Sequence, residues 1–589
     1  MNKSILKLKK IRIWDVLFCV LLIFILIILS KRASDEYRWS DWGFGDAQTM
    51  LSLRNWNEAG WLASKLLFIP QGYAKIIQLF DKPPLRHHAH GICPISSPKI
   101  GPRLYYTHYP PGYLLPFAFI YRVGLDNISS MRILSIIISL GAVVLMYLLF
   151  SRIASPAVAF IAVLFYMLTP AFLGYADSLA NQPIDDLLRF AFMYAIVIAS
   201  VGISRKQSRG WLVIAWIIEF ILSLSSFDSV FFIFLWLIAW DILNHRGFRW
   251  KKYLIFVLAP ILAQSLLFLQ NVWYLGLNDA VIDMIDTFTC KSSSGPDISR
   301  FTKFWQCLIL LLKIIHGRIY LILTIFVSYC VYSWFTRHRE NKSLPSTGLL
   351  SVLFLCGSAF GVLFPSITAS MAYETRQIAP FVAVLIGGAS VAFVMEVMGL
   401  LKKQRYSGEI SKLEKKIRIV MLIYVSLSAI ILPVFWYSFI TNSNKPLYDS
   451  SIIKNNPEIL LARKIKGIET SQEAVYFSLY GFQAYWNSAY VPGYPQIHPI
   501  LEYYIGSKPI LCFDNPVDLL TDLRYMLKNS KDKFSPVLVA ASPVELDKMF
   551  IVLQNEGIIE KKQVLIGTSF NRFFVDLTDY LVATGDVVK

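Results

Sequence analysis

A pair of adjacent carboxylates, Asp35-Glu36, is the part of this 589-residue chain best suited to chemistry. It directly follows the first long apolar run, and the aromatic residues Trp39, Trp42 and Phe44 come next. A carboxylate at a membrane surface can act as a general base and take a proton from an attacking group. The alternative is a solvated acidic turn beside a belt of interfacial aromatics, because acids are common next to membrane spans.

Histidine, cysteine and further acids raise the question of a metal. His87, His88 and His90 precede Cys93, and imidazole and thiolate are zinc ligands, but no second well-spaced pair follows. Loop histidines without a metal are therefore the favoured interpretation. Whether Mg²⁺ or Mn²⁺ binds through carboxylate oxygens stays open, and so does a Cys93–Cys290 disulfide.

The elements that must position these residues are membrane spans. The hydrophobic fraction is 55% and the mean hydropathy is +0.51, too apolar for a soluble chain of this length. A span needs about 20 mostly apolar residues. Runs near that size lie at 13–30, 131–150, 155–175, 187–203, 211–227, 229–243, 253–275, 318–335, 348–370, 377–400 and 419–440. The sequence predicts a polytopic α-helical membrane protein with about eleven spans, two of which form a tight hairpin around Asp228.

The basic residues set the orientation. Segments 1–12, 204–210, 244–252, 336–347 and 401–418 contain five, three, four, three and seven lysines and arginines. With eleven spans, all five segments lie on one side, which the positive-inside rule assigns to the cytoplasm. The net charge of +18 is thus mainly a topology signal that allows contact with anionic lipid, and nucleic acid is not an expected partner.

Two large segments then lie outside the cytoplasm. The first outer loop, residues 31–130, contains apolar residues at helical spacing over 46–68, which predicts one or two interfacial helices. A short apolar piece after Pro110-Pro111 is too short to span. The tail, residues 441–589, contains predicted strands at 475–479, 537–541 and 572–577 and a predicted helix from Pro543 to Gly557. These elements predict an extracytoplasmic α/β domain at 441–589, which follows a membrane domain at 1–440 in the chain.

Several short motifs, taken in order, resemble the GT-C superfamily of polyprenyl-phosphate-sugar-dependent glycosyltransferases. The resemblance is to the ArnT, protein O-mannosyltransferase and RgtA/B-like groups. It rests on the acidic pair after span one, on His108-Tyr-Pro-Pro ahead of Gly124 and Arg132, on Thr169-Pro170 followed by Asp185-Asp186, and on Tyr373-Glu374-Thr375-Arg376. Asp81-Lys82-Pro83-Pro84 looks similar to the second motif, but no apolar segment follows it.

The resemblance implies roles for individual residues. Asp35 or Glu36 corresponds to the first-loop catalytic acid, and Asp185 or Asp186 to the second-loop acid, with Asp177 as a third candidate. The implied substrate-binding residues are Arg103, His108, Tyr109, Glu374 and Arg376, with the arginines and His108 near a lipid phosphate. Two of these residues have an ordinary alternative: Arg376 as an interfacial arginine paired with Glu374, and Asp185 as a helix-start acid.

The resemblance also implies a function. A sugar passes from a polyprenyl phosphate or diphosphate to a lipid, glycan or protein acceptor on the outer face, with inversion. The implied location is the inner membrane of a bacterial cell envelope. The alternatives are a transporter or flippase of lipid-linked intermediates, whose charges and broken helices tend to lie near the bilayer midplane, and a noncatalytic membrane scaffold. All the candidate acids and cations fall on the predicted outer face, which favours the enzyme.

Overall fold

The computed structural model describes twenty-one parts of the chain, and every structural statement below concerns these residues. They are 12–35, 43–69, 107, 110–201, 204–244, 249–292, 325–330, 333, 344–363, 376–403, 462, 473–479, 499–506, 510–513, 519–520, 523–524, 527, 534–540, 543–559, 567–569 and 572–576.

Long helices dominate the first 403 residues. They are α1 (Ile13–Ala33), α2 (Gly43–Ala59), α3 (Leu114–Arg122), α4 (Ile128–Ile153), α5 (Pro156–Met167), α6 (Pro170–Leu173), α7 (Gln182–Val201), α8 (Arg205–Ser223), α9 (Asp228–Leu243), α10 (Trp250–Leu275), α11 (Leu277–Ser292), α12 (Thr347–Leu363) and α13 (Ala379–Lys403). By length and composition, four helical stretches in the described ranges can cross a membrane: Ile13–Ala33, Ile128–Ile153, Trp250–Leu275 and Arg376–Met395. The protein is a multi-pass membrane protein.

The predicted spans coincide with helices wherever the structure describes them. The tight hairpin is confirmed, since α8 ends at Ser223 and α9 begins at Asp228. The predicted run 155–175 is not one helix, because it breaks between α5 and α6 at Thr169-Pro170, where proline removes a backbone donor and restricts the residue before it. Span 419–440 lies outside the described ranges, so the count of eleven stays a prediction.

Side-chain N-caps define where two of the helices start. The Asn127 side chain accepts a hydrogen bond from the Ser130 backbone N–H at 2.8 Å and caps α4. Ser155 caps α5 in the same way and precedes Pro156 at the first helical position. The buried faces of α1, α4, α5, α7, α8, α9, α10, α12 and α13 then share one apolar core.

The first outer loop forms a second, smaller core. Helix α2 buries Met50, Leu53 and Trp56 against α3 and the short 3-10 helix Pro111–Tyr113. Of the one or two helices predicted over 46–68, the structure has one, α2, and residues 61–66 form turns. Helix α3 has nine residues, which confirms that the apolar piece after Pro110-Pro111 is too short to span.

The tail contains a five-stranded sheet. Its strands are β1 (Glu473–Leu479), β2 (Ile510–Phe513), β3 (Phe534–Ala540), β4 (Gly567–Ser569) and β5 (Arg572–Asp576), in the order β2-β1-β3-β5-β4. Strands β2, β1 and β3 are parallel, and β5 pairs antiparallel with β3 and β4. The helices are α14 (Pro499–Tyr504) and α15 (Pro543–Asn555). The three predicted strands and the Pro543 helix start are confirmed, whereas the domain boundaries 1–440 and 441–589 stay predictions.

The tail also touches the first outer loop. Helix α14 lies against α2, and Tyr503 packs against the second core. This contact places the tail sheet at the same end of the helix bundle as the acidic residues of the loops.

Candidate active site

One buried carboxylate joins three elements at this end of the bundle. Arg32, at the end of α1, and Arg132, near the start of α4, both form ion pairs with Asp177, which follows α6. The Arg32 Nε donates to Asp177 Oδ2 at 3.0 Å, and the Arg132 Nε donates to the same oxygen at 3.1 Å. Burial raises the pKa of Asp177, but the two guanidinium groups outweigh it and hold that pKa below the ordinary 3.8. Such a carboxylate is a poor base, which favours a structural role for Asp177.

The same cluster positions the first candidate acid. Arg132 Nη1 donates to the backbone carbonyl of Asp35 at 3.1 Å, which ties the start of the first outer loop to α4. The residue Asp35 itself is exposed.

A further acid, Asp46, connects α2 to the loop after α6, and sequence reasoning missed it. Asp46 Oδ1 accepts hydrogen bonds from the Ser178 hydroxyl at 2.8 Å and from the Leu179 backbone N–H at 2.7 Å. The Thr49 hydroxyl donates to the Leu179 carbonyl at 3.1 Å. The available signal was an acid in the first turn of an amphipathic helix, where the exposed backbone N–H groups favour negative charge.

The second-loop pair divides into two different environments. Asp185 is fully buried, and its Oδ2 accepts a hydrogen bond from the Asn181 amide at 2.6 Å. Asp186 faces cations: it forms ion pairs with Arg189 of α7 and with Arg376, which lies just before α13. The Arg376 Nε is 3.0 Å from Asp186 Oδ1, and the Tyr166 hydroxyl donates to Oδ2 at 2.9 Å.

The structure thus brings together two residues 190 positions apart that the resemblance singled out separately, Asp186 and Arg376. Asp35, Asp185, Asp186 and Arg376 lie at the same end of the bundle, because the loops after α1, after α6 and before α13 meet there. The two guanidinium groups and the Tyr166 hydroxyl already occupy the Asp186 carboxylate. Arg32, Arg189 and Tyr166 were not predicted as site residues.

Several predicted site residues lie outside the described ranges: Glu36, Arg103, His108, Tyr109 and Glu374. The residues that flank His108 and Tyr109 are described. Thr107 accepts a hydrogen bond from Asn271 at its carbonyl and donates its hydroxyl to Asp283 at 2.6 Å. On the other side, the Gly112 N–H donates to the Leu224 carbonyl at 2.9 Å, at the end of α8. Thr107 is therefore bonded to α10 and α11, and Gly112 to the residue that follows α8.

Among the described residues, no group of three or more histidines, cysteines, aspartates or glutamates is arranged to hold a metal ion. Asp186 does not suit a divalent cation, because two guanidinium groups already face it. The four residues of the His87–Cys93 cluster lie outside the described ranges, so a role for them stays untested.

Known proteins match this chain in structure and not in sequence. No family profile matches it, and no curated protein does. The crystal structure of ArnT from Cupriavidus metallidurans bound to undecaprenyl phosphate superposes with a TM-score of 0.55 at 11% identity, covering 96% of this chain and 98% of that one. The apo state of the same protein gives 0.52 at 12% identity, with 96% and 97% covered. The apo oligosaccharyltransferase of Archaeoglobus fulgidus gives 0.45 at 11%, covering 91% of this chain and 71% of that one. The chain shares the fold of ArnT, which is one of the groups that its motifs resemble.

Proposed function

We propose that this protein is an integral membrane glycosyltransferase. It moves a sugar from a polyprenyl phosphate or diphosphate to a lipid, glycan or protein acceptor. The observation that supports this most directly is the contact of Asp186 with Arg376 at the bundle end where the Asp35 backbone is also anchored. This arrangement supplies a carboxylate for the acceptor and guanidinium groups for a phosphate.

The proposed reaction is one displacement. The acceptor oxygen or nitrogen attacks the anomeric carbon, the bond from that carbon to the phosphate oxygen breaks, and the bonding pair leaves with the phosphate. The acceptor proton goes to a carboxylate, Asp35 or Glu36 in our assignment, with Asp185 as the second candidate. A well-placed general base contributes roughly 10²–10⁴-fold. A single displacement inverts the anomeric centre.

Arg376 is assigned to the departing phosphate. Charge develops on the phosphate oxygens as the bond breaks, so a guanidinium in a water-poor site stabilises the transition state more than the ground state. His108, Arg103 and Tyr109 are proposed to assist, and Glu374 to orient Arg376. The superposition on a structure containing undecaprenyl phosphate supports this class of donor.

The proposed location is the inner membrane of a bacterial envelope, with the N-terminus in the cytoplasm and the site outside. The five basic segments on one predicted side support this orientation. Single cysteines placed beside Asp35 and beside Arg376 in a chain without native cysteines test it. Both are expected to react with an impermeant thiol reagent added from outside, and reaction from opposite sides would refute the topology.

The function itself is tested with the full chain in proteoliposomes. Radiolabelled undecaprenyl-phosphate sugars are supplied as a panel, together with membrane extract as the acceptor source. Asp35→Asn combined with Glu36→Gln is expected to abolish transfer while undecaprenyl phosphate still binds. Asp126→Asn, an exposed outer-loop acid, is the matched control and should retain transfer.

One result would contradict the assignment of the base, and another would contradict the enzyme. If the double variant has unchanged activity, the first-loop acids are not the base. If the wild-type protein instead moves a fluorescent polyprenyl phosphate between leaflets, and neither substitution affects that movement, a flippase replaces the glycosyltransferase.

A further inference from the structure

Arg189 has more hydrogen-bonding capacity than the surrounding structure uses. It is 1% exposed, and its Nη2 donates to Asp186. Its Nε and Nη1 are buried and donate to no group in the described part of the chain. A buried guanidinium normally has all its donors satisfied, because each unsatisfied charged donor carries a desolvation cost.

The position of Arg189 is held from two sides. Its guanidinium lies 5.3 Å from the centre of the Phe232 ring on α9, a cation–π contact. Helical side chains lean toward the N-terminus of their helix, and for α7 that end is where Asp186 and Arg376 meet. The side chain is thus anchored with its charge directed to the candidate active site.

Two cations converge on Asp186. One carboxylate faces two guanidinium groups, Arg189 and Arg376, and its Oδ2 also accepts the Tyr166 hydroxyl. The ion pair with Asp186 uses only one nitrogen of Arg189 and leaves its two buried donors, Nε and Nη1, unused within the described part of the chain. A second anion at this place can accept hydrogen bonds from them.

We infer that Arg189 and Arg376 together form a receptor for one phosphoryl group, and that Asp186 holds the two guanidiniums apart and oriented until that group arrives. The planar, forked guanidinium matches phosphoryl oxygens in bidentate geometry. This inference rests on the proposed function for the source of the phosphoryl group, which is the head of the polyprenyl-linked donor. Arg189 is then a positioning and binding residue for the donor phosphate, and Asp186 is not the catalytic base.

The test measures anion affinity of the full-length protein in nanodiscs. Radiolabelled undecaprenyl phosphate and inorganic phosphate are titrated separately, and the thermal unfolding temperature is recorded for every variant. Arg189→Gln is expected to weaken undecaprenyl phosphate binding by about tenfold or more, as for a lost charge-assisted hydrogen bond. Arg189→Lys should recover part of the affinity. Asp186→Asn should bind at least as tightly as the wild type, because it removes the competing anion.

Arg209→Gln is the matched control, because Arg209 is exposed near the start of α8. Its affinity is expected to be unchanged. If Arg189→Gln binds within twofold of the wild type, or only its unfolding temperature falls, the inference is overturned. Loss of affinity in Asp186→Asn would overturn it as well.

The outcomes also separate this inference from the proposed function. If Arg376→Gln loses donor binding and Arg189→Gln does not, the proposed function is supported and the two-arginine phosphoryl receptor is refuted. If the wild type binds inorganic phosphate through Arg189 but does not bind undecaprenyl phosphate, the receptor is supported and the lipid-linked donor is refuted. If the wild type binds neither probe, both are refuted.

Discussion

Gly357→Ala is a sharp test of how the Arg376 turn is held. Gly357 lies in α12, and a Cβ atom there would be 2.7 Å from the Gln377 carbonyl oxygen and 2.8 Å from the Ile378 Cα. Both neighbours are backbone atoms, so no side-chain rotation relieves the contact. The backbone must open by about 0.7 Å to reach an ordinary 3.4 Å separation.

The backbone that must move, at Gln377 and Ile378, directly follows Arg376 in the chain. Its Nε lies 3.0 Å from Asp186 Oδ1, and a shift of about 0.7 Å passed on in full would take the pair beyond hydrogen-bonding distance. Overpacking of this kind costs roughly 1–3 kcal/mol. An Arg376 guanidinium displaced in this way also loses a charge-assisted hydrogen bond to the donor phosphate, which costs roughly 1.5–3 kcal/mol. We therefore expect lower thermal stability together with at least about tenfold weaker undecaprenyl phosphate binding.

The measurement is thermal unfolding and donor binding of the full chain in nanodiscs. Gly210→Ala is the matched control, because a Cβ at Gly210 in α8 meets no atom within 4 Å. An alanine there should stabilise the helix by about 0.4–1 kcal/mol. Wild-type stability and affinity in Gly357→Ala would refute the reasoning that this close approach fixes the Arg376 turn.

Three other expectations concern the same end of the bundle. Gly112→Ala should lower the free energy of unfolding by roughly 1–3 kcal/mol and reduce transfer, because its Cβ would overlap the Leu224 carbonyl oxygen. An unchanged free energy of unfolding would argue against this close approach. Arg132→Gln should lower the free energy of unfolding by roughly 3–5 kcal/mol, because it leaves Asp177 with an incomplete ion pair. The control Arg54→Gln, at an exposed ion pair, should change it by no more than about 1 kcal/mol. The ion pairs of Asp177 depress its pKa below 3.8, so their contribution is present above that pH and is lost as the pH falls through the lowered pKa. Unfolding temperatures measured from pH 6 to pH 3 should fall less steeply in Asp177→Asn than in the wild type, and parallel curves would exclude this linkage.

Hydrophobic runs and caps were enough to predict most of the helical fold. Local composition predicts the α8–α9 hairpin, the short α3 and the strand positions in the tail, because each of these elements is determined mainly by residues close together in the sequence. The break between α5 and α6 was missed, since the run 155–175 is apolar on both sides of Thr169-Pro170. Pro170 was a usable signal.

The pairing of charges was beyond local reasoning. Arg32 lies 145 positions before Asp177, and its partner is chosen by how α1 packs on α4 and not by any spacing in the sequence. Arg189 shows the same limit, because an arginine within an apolar run gives no sign of the carboxylate it faces. The acids and Arg376 were predicted to share one face, and their convergence follows from topology. Which acid faces which cation follows only from packing.

The double ion pair of Asp177 has a consequence for biosynthesis. Arg32 and Arg132 leave the ribosome before their shared partner is made, so the ion pairs that join these helix ends cannot form until the third long apolar segment has been made. Closure of this end is then a late, long-range step, which is slow relative to local helix formation. Chains truncated before residue 177 are expected to leave Arg32 reactive toward an arginine-specific reagent, and extension past that residue should protect it.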